Sequence, residues 1–167
     1  MNVTIEVFIT HLQADRVRYL RREILLDDPD TAPDIAVRDL VETLFTGSPE
    51  RRTRYLSHST SWRYEASGRV LLTYLVCLGA EVPLCADNRW CELHADDFNL
   101  AKSDDPAQPA PTSITEEQVL SHAIRHLAFL KLHACDETID SIVPSDAVPL
   151  LARANSTLAG QLHQEAN

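Results

Sequence analysis

Two runs of β-forming residues joined by a very short connection constrain this chain more than any other feature of its sequence. Residues 56–65, LSHSTSWRYE, and residues 69–78, RVLLTYLVCL, flank the tripeptide 66–68, which ends in Gly68. Strand-forming runs separated by a short connection that contains glycine are typical of a β-hairpin. The sequence therefore predicts two antiparallel strands here, and an antiparallel sheet centred on them.

Strict alternation along the first of these strands predicts which of its side chains share a face. If Glu65 faces Arg69, one face carries three small or charged side chains: Ser59, Ser61 and Arg63. The opposite face then carries four larger side chains: His58, Thr60, Trp62 and Tyr64.

This polar stretch contains the candidate ligand-binding residues: His58, Ser59, Ser61 and Arg63. Hydroxyl groups beside an arginine are suited to a groove that holds a ligand with an anionic group. The pattern fits the exposed face of a hairpin equally well, because Ser and Thr are tolerated in strands. Both interpretations stay open at the level of sequence.

The remaining elements are predicted from the spacing of apolar residues. Helices are predicted over four segments: residues 15–26, 34–46, 113–134 and 146–164. Strands are predicted over three more: a half-buried strand at residues 2–10 and short strands at 81–85 and 89–94. Gly47 stands where a helix C-terminal cap is expected after the helix at 34–46.

Together these elements predict an α+β fold, with an antiparallel sheet of three to five strands packed against three or four helices. We expect the helices to cover one face of the sheet. With 167 residues, the chain has the size of a single domain, which we place over residues 1–167. The proline-rich segment at about residues 101–113 predicts a surface crossing.

The helix at 113–134 carries His122 and His126, four residues apart. This is the spacing of the helical pair that binds zinc in many hydrolases, although Ala123 replaces the glutamate that follows the first histidine in zinc peptidases. On a helical wheel both imidazoles lie along the border of the apolar face. Neutral imidazoles at such a border are expected to have a pKa below the usual ~6.5.

A metal site at His122 and His126 needs further ligands from elsewhere in the chain. The available residues fall in one short stretch: Cys91, His94, Asp96 and Asp97. The other interpretation is that both histidines are border residues bonded to the backbone or to water. Zinc is therefore the alternative, and the leading expectation is that the protein uses no cofactor.

Charge and composition exclude several classes of partner. The 15 Lys and Arg residues stand against 25 Asp and Glu residues, and the resulting net charge of −10 repels a phosphate backbone, so we expect no nucleic-acid partner. No apolar run is long enough to span a bilayer, and the N-terminus does not resemble a secretory signal, so we expect no membrane association. The four cysteines lack C-x-x-C spacing, and we expect reduced thiols in a cytoplasmic protein.

No complete catalytic motif is found: the four glycines are isolated, which excludes a phosphate-binding loop, and no G-x-S-x-G elbow occurs. The leading hypothesis is a non-catalytic module that binds a small molecule or a protein, with a homodimer through an open sheet face bearing Trp62 or Tyr74. The alternative is a metal-dependent hydrolase that uses the histidine pair. The two differ in whether His58 and His126 meet beside a carboxylate in a pocket.

Overall fold

The computed structural model describes residues 2–28, 30–45, 54–65, 67–82, 89–101, 111, 113–134 and 136–156. Within these residues lie five strands: β1 (Asn2–Leu12), β2 (Arg16–Leu26), β3 (Tyr55–Tyr64), β4 (Arg69–Leu78) and β5 (Cys91–His94). Four helices accompany them: α1 (Pro33–Phe45), α2 (Glu116–His133), α3 (Glu137–Ile142) and α4 (Val148–Ser156). The α+β class predicted from the sequence is confirmed.

The strands form one sheet in the order β3-β4-β1-β2-β5. Three of the neighbouring pairs are antiparallel, but β1 and β4 run parallel, so the sheet is mixed rather than antiparallel. The β3–β4 hairpin forms as predicted, with Gly68 at a φ of 85° in its turn, a backbone conformation that favours glycine. The sheet is centred on β1, however, and the hairpin lies at its edge.

The helix predicted over residues 15–26 is wrong, because this segment forms β2 and pairs with β1 along its length. Val17 and Tyr19 are buried on one face of the sheet, and Leu20 is buried on the other. Several arginines obscure this two-residue period in the sequence, and three-to-four spacing could be found in the same residues. The segment adopts the two-residue period of a strand rather than the three-to-four spacing of a helix because it pairs with a neighbouring strand.

Helices cover both faces of the sheet, which corrects the expectation of one covered face. On one face, Val37 and Val41 of α1 pack against a row of apolar side chains on β1: Ile5, Val7 and Ile9. On the other, which we call the α2 face, α2 and α4 pack against Phe8 and Leu75. Strand β1 is consequently buried on both sides, and the half-buried strand predicted there is buried throughout residues 4–10.

The helices predicted over residues 34–46 and 113–134 correspond to α1 and α2, whereas α3 was not predicted. Thr115 caps α2 and forms a capping box with Gln118, so α2 begins at Glu116, within the segment predicted to be helical. The predicted end of the last helix, beyond residue 156, lies outside the described residues, as do Thr46 and Gly47 after α1. Of the strand predicted at 81–85, Glu81 and Val82 lie in a turn and the rest is outside the described residues. Most of the segment 101–113 is outside them as well.

Candidate ligand-binding site

A bulge in β3 sets the orientation of the predicted ligand-binding residues. The register with β4 shifts between Ser59 and Ser61 and leaves Thr60 without a partner in the pairing. Because one extra residue reverses the alternation of a strand, side chains before the bulge change face. His58 pairs with Leu75, a residue of the α2 face.

The strict alternation predicted for β3 is therefore wrong on the N-terminal side of Thr60. His58, Ser61 and Arg63 point towards the α2 face, whereas Ser59 lies on the opposite face, is exposed, and pairs with Tyr74. Three of the four predicted ligand-binding residues thus face the helix that carries the histidine pair. Ser59 is separated from them.

A cleft of about 330 Å³ lies between β3 and the N-terminal half of α2. Its polar groups come from both elements: Ser61, Arg63, Gln118, His122 and Arg125. The remaining wall is largely apolar: Leu100, Ala101, Pro111, Ile114 and Val119. Its volume is at the lower end of the range found for small-molecule sites, and a mostly apolar wall with a few converging polar groups is typical of them.

A wider cleft of about 830 Å³ continues from the first and is much more polar. At its base the Glu6 carboxylate, 1% exposed, accepts hydrogen bonds from Arg63 at 2.7 and 3.0 Å and from the Arg21 Nε at 2.8 Å. The Thr73 hydroxyl donates to the same carboxylate at 3.2 Å. Arg63, which the sequence suggested as an anchor for a ligand anion, is therefore already engaged by an acid of the protein.

The protonation state of Glu6 follows from these contacts. Burial by itself raises the pKa of this carboxyl, but the hydrogen bonds and positive charges of Arg63 and Arg21 outweigh burial and hold the pKa below its usual value. Glu6 is thus ionised at neutral pH and belongs to an internal ion-pair cluster. An acid in the middle of an apolar strand was the sequence signal for this cluster.

Three imidazoles meet along the seam between β3 and α2. The ring centroids of His122 and His126 are 4.7 Å apart, and those of His58 and His126 are 5.9 Å apart. Burial, with the nearby charge of Arg125, lowers the pKa of His122, and burial together with its two histidine neighbours and Arg125 lowers the pKa of His126. Both helical histidines are half-buried at the edge of the core, as the helical wheel predicted.

His58 and His126 approach each other, as the hydrolase hypothesis requires. Among the described residues, however, no acid contributes to the pKa shift of either helical histidine, so the carboxylate that the hypothesis also requires is not found there. In the part of the chain that the structure describes, no group of three or more His, Cys, Asp or Glu side chains is arranged to hold a metal ion. Cys91 and His94 lie on β5, at the opposite edge of the sheet from β3. Asp96, another candidate ligand, pairs with Arg153.

Arg125 is a charged residue of the cleft that sequence reasoning missed. The wheel places it away from the apolar face of α2, but it is half-buried and lines the cleft beside His122. Among the described residues, no acid lies within ion-pairing distance of its guanidinium, although many other arginines are paired: Arg16, Arg18, Arg21, Arg38, Arg54, Arg63, Arg69 and Arg153. Its position three residues after His122 was the available signal.

The aromatic side chains of the hairpin differ in exposure. Trp62 is 70% exposed and borders both clefts, and Tyr64 is 65% exposed next to it on β3. Tyr74, the other aromatic residue suggested for a partner surface, is buried and donates a hydrogen bond to Asp34 at 2.8 Å. The exposed aromatic surface of the edge strand therefore consists of Trp62 and Tyr64.

Comparisons with known proteins found no matching family model, curated protein or solved structure. None of the helices in the described ranges is long and apolar enough to cross a membrane. Cys77 is a buried free thiol and Cys91 an exposed one; Cys85 and Cys135 lie outside the described residues.

Proposed function

We propose that this chain is a non-catalytic binding module that takes a small molecule into the 330 Å³ cleft between β3 and α2. The observation that carries the proposal is the cleft itself, because it lies where the polar residues of β3 face the histidine flank of α2. Apolar walls of this kind supply affinity by removing ligand surface from water. The few polar groups then fix the orientation of the ligand.

The side chains of the cleft favour binding over catalysis. A nucleophile or general base needs a partner that activates or orients it. Neither helical histidine has an acid acting on it within the described part of the chain. Glu6, the acid that contacts Arg63, is already engaged in an ion pair with it. Free thiols at Cys77 and Cys91 support placing the module in the reducing cytoplasm.

The test is a screen of small aromatic and aliphatic fragments, charged and uncharged, followed by amide chemical shifts of ¹⁵N-labelled protein. We expect binding fragments to shift the amides of Ala101, Ile114 and Val119. Ser61→Phe places a ring in the cleft and should abolish these shifts. Ser59→Phe is the matched control, because Ser59 is exposed and lies two residues away on the opposite face of β3.

Fragments that shift other surfaces, or that bind equally to the wild type and to Ser61→Phe, would refute this assignment of the site. Loss of binding in both variants would do the same, because Ser59→Phe leaves the cleft unchanged. Circular dichroism of each variant checks that it has folded.

A further inference from the structure

The two neighbouring clefts differ in their balance of charge. In the wider cleft, acids and arginines are matched: Glu6 pairs with Arg21 and Arg63, and Glu65 pairs with Arg69 at 2.9 Å. The lining of the 330 Å³ cleft contains no Asp or Glu among the described residues. Among the residues that the structure describes, Arg125 and His122 therefore stand in the smaller cleft without an acid to match them.

This unmatched positive charge occurs in a chain whose net charge is −10. A half-buried guanidinium loses part of its hydration, and that loss is normally offset by a carboxylate or phosphate partner. The imidazole of His122 lies beside the guanidinium, and the rings of His126 and His58 continue the row of cationic or ionisable groups along the seam. Each of these groups would be stabilised by a negative charge in the cleft.

We propose that the ligand of this cleft is a small organic anion, whose carboxylate or phosphate is held by Arg125 and His122 while its apolar part packs against Pro111, Ile114 and Val119. The proposal rests on the cleft being the binding site and adds the chemical class of its ligand. Arg125 supplies a planar pair of donors suited to either anion. His122 supplies a further donor on the same helix face, since three residues complete almost one turn.

Proton uptake should accompany binding. Arg125 on α2 acts on the imidazoles of both His122 and His126, and the His126 imidazole is also acted on by His122 and by His58 on β3. All of these are cationic or become cationic, and an anion between Arg125 and His122 offsets their repulsion. The bound state therefore favours the protonated imidazole more than the free state does, and affinity should rise as pH falls from 8 to 6.

The test uses matched probes of one size: 3-phenylpropionate, phenyl phosphate and the uncharged 3-phenylpropionamide. Amide shifts of the cleft residues give a dissociation constant for each. We expect at least one of the two anions to bind about tenfold more tightly than the amide at pH 6, which corresponds to about 1.4 kcal/mol. The stronger anion shows which of the two groups the cleft prefers.

Variants assign the preference to particular side chains. Arg125→Gln should reduce the tenfold preference to near one, whereas Arg38→Gln on α1, an arginine on the other face of the sheet, should leave it intact. His122→Gln should keep a preference for 3-phenylpropionate but weaken its dependence on pH, because this carboxylate stays ionised between pH 6 and 8.

Three results would overturn the proposal. Equal affinity for the anions and the amide would show that the cleft is a site for uncharged molecules, which leaves the binding function standing. Failure of both anions to shift the cleft amides at millimolar concentration would show that the cleft does not take such anions. A preference that survives Arg125→Gln would place the anion elsewhere. The fragment screen separates these results from a cleft that binds nothing.

Discussion

Replacing Arg63 with methionine should lower the free energy of unfolding by about 3 kcal/mol. Glu6 is 1% exposed, and Arg63 provides two of its charged hydrogen bonds, at 2.7 and 3.0 Å. Removing one partner of a buried ion pair costs about 3–5 kcal/mol, because the remaining charge stays buried. The Arg21 guanidinium and the Thr73 hydroxyl still contact the carboxylate, so we expect the lower end of that range.

A double variant separates the cost of an unpaired charge from the value of the pair. In Glu6→Leu/Arg63→Met the buried carboxylate of Glu6 is removed together with its partner Arg63, and Arg21 retains Glu23 at 2.6 Å. Apolar replacement of a buried pair is often close to neutral. We therefore expect the double variant to be more stable than Arg63→Met alone. Arg38→Met is the matched control, since the exposed guanidinium of Arg38 pairs with Asp39 on the surface and should not change stability measurably.

The dependence on pH follows from the sign of the pKa shift. The pKa of Glu6 is lower in the folded protein than its usual value of 4.5. The stabilisation is therefore complete above the unfolded pKa and is lost as pH falls through the folded value. The difference in stability between wild type and Glu6→Gln should be largest near pH 7 and should narrow as pH falls below about 4.5.

Urea denaturation followed by circular dichroism, at pH 7 and at several acidic values, measures each of these quantities. The reasoning would be refuted if Arg63→Met were as harmless as Arg38→Met. It would also be refuted if the effects of Glu6→Leu and Arg63→Met were additive in the double variant, because additivity means that the two side chains are not coupled.

Four further predictions concern α2 and the edge strand. Leu127→Ala should lower the free energy of unfolding by about 2–5 kcal/mol in a denaturant titration, because Leu127 is buried in the core of the α2 face. Arg125→Ala should change it by no more than about 0.5 kcal/mol. Equal effects of the two variants would mean that α2 faces the other way. Because the pKa values of His122 and His126 are lowered in the folded protein, stability is intact above pH ~6.5 and is lost as pH falls towards the folded pKa values. The melting temperatures of the wild type and of the His122→Gln/His126→Gln variant should therefore diverge below that pH. Parallel dependence on pH in the two proteins would contradict the lowered pKa values. Stoichiometric zinc should not raise the melting temperature; a rise that His122→Ala and His126→Ala each abolish would favour the metal-dependent hydrolase. A homodimer through the exposed aromatic surface should dissociate in Trp62→Glu by analytical ultracentrifugation, and a strictly monomeric wild type at high concentration would exclude it.

Elements that depend on residues close together in the sequence were predicted correctly. The hairpin followed from a glycine-containing connection between two β-forming runs, and α2 followed from the spacing of its apolar residues. Strand β2 was missed because its arginines hide a two-residue period that only pairing with β1 establishes. The parallel pairing of β1 with β4 and the coverage of both faces are contacts between distant segments, and no local pattern encodes them.

The candidate site was predictable to a similar extent. The position of His122 and His126 at the border of the core followed from helical periodicity alone. The roles of Arg63 and Arg125 did not follow from periodicity, because each role depends on whether an acid lies near the guanidinium in the folded chain. Glu6 comes from a strand 57 residues away and engages Arg63, while no described acid pairs with Arg125. Charge matching of this kind is a property of the folded chain.

The bulge at Thr60 connects the fold to the site. In a strand that alternates strictly, His58 lies on the face opposite Ser61, so only one of them could point towards α2. Thr60 is the extra residue of the bulge and has no partner in the pairing with β4. Its buried hydroxyl donates to the carbonyl oxygen of Thr73 at 3.3 Å, which holds the bulge in place. As a result His58 meets His126 while Ser61 lines the cleft from the same face. Bulges are frequent beside binding sites because they redirect side chains in this way, so the bulge supports the cleft as the functional site independently of its volume and charge.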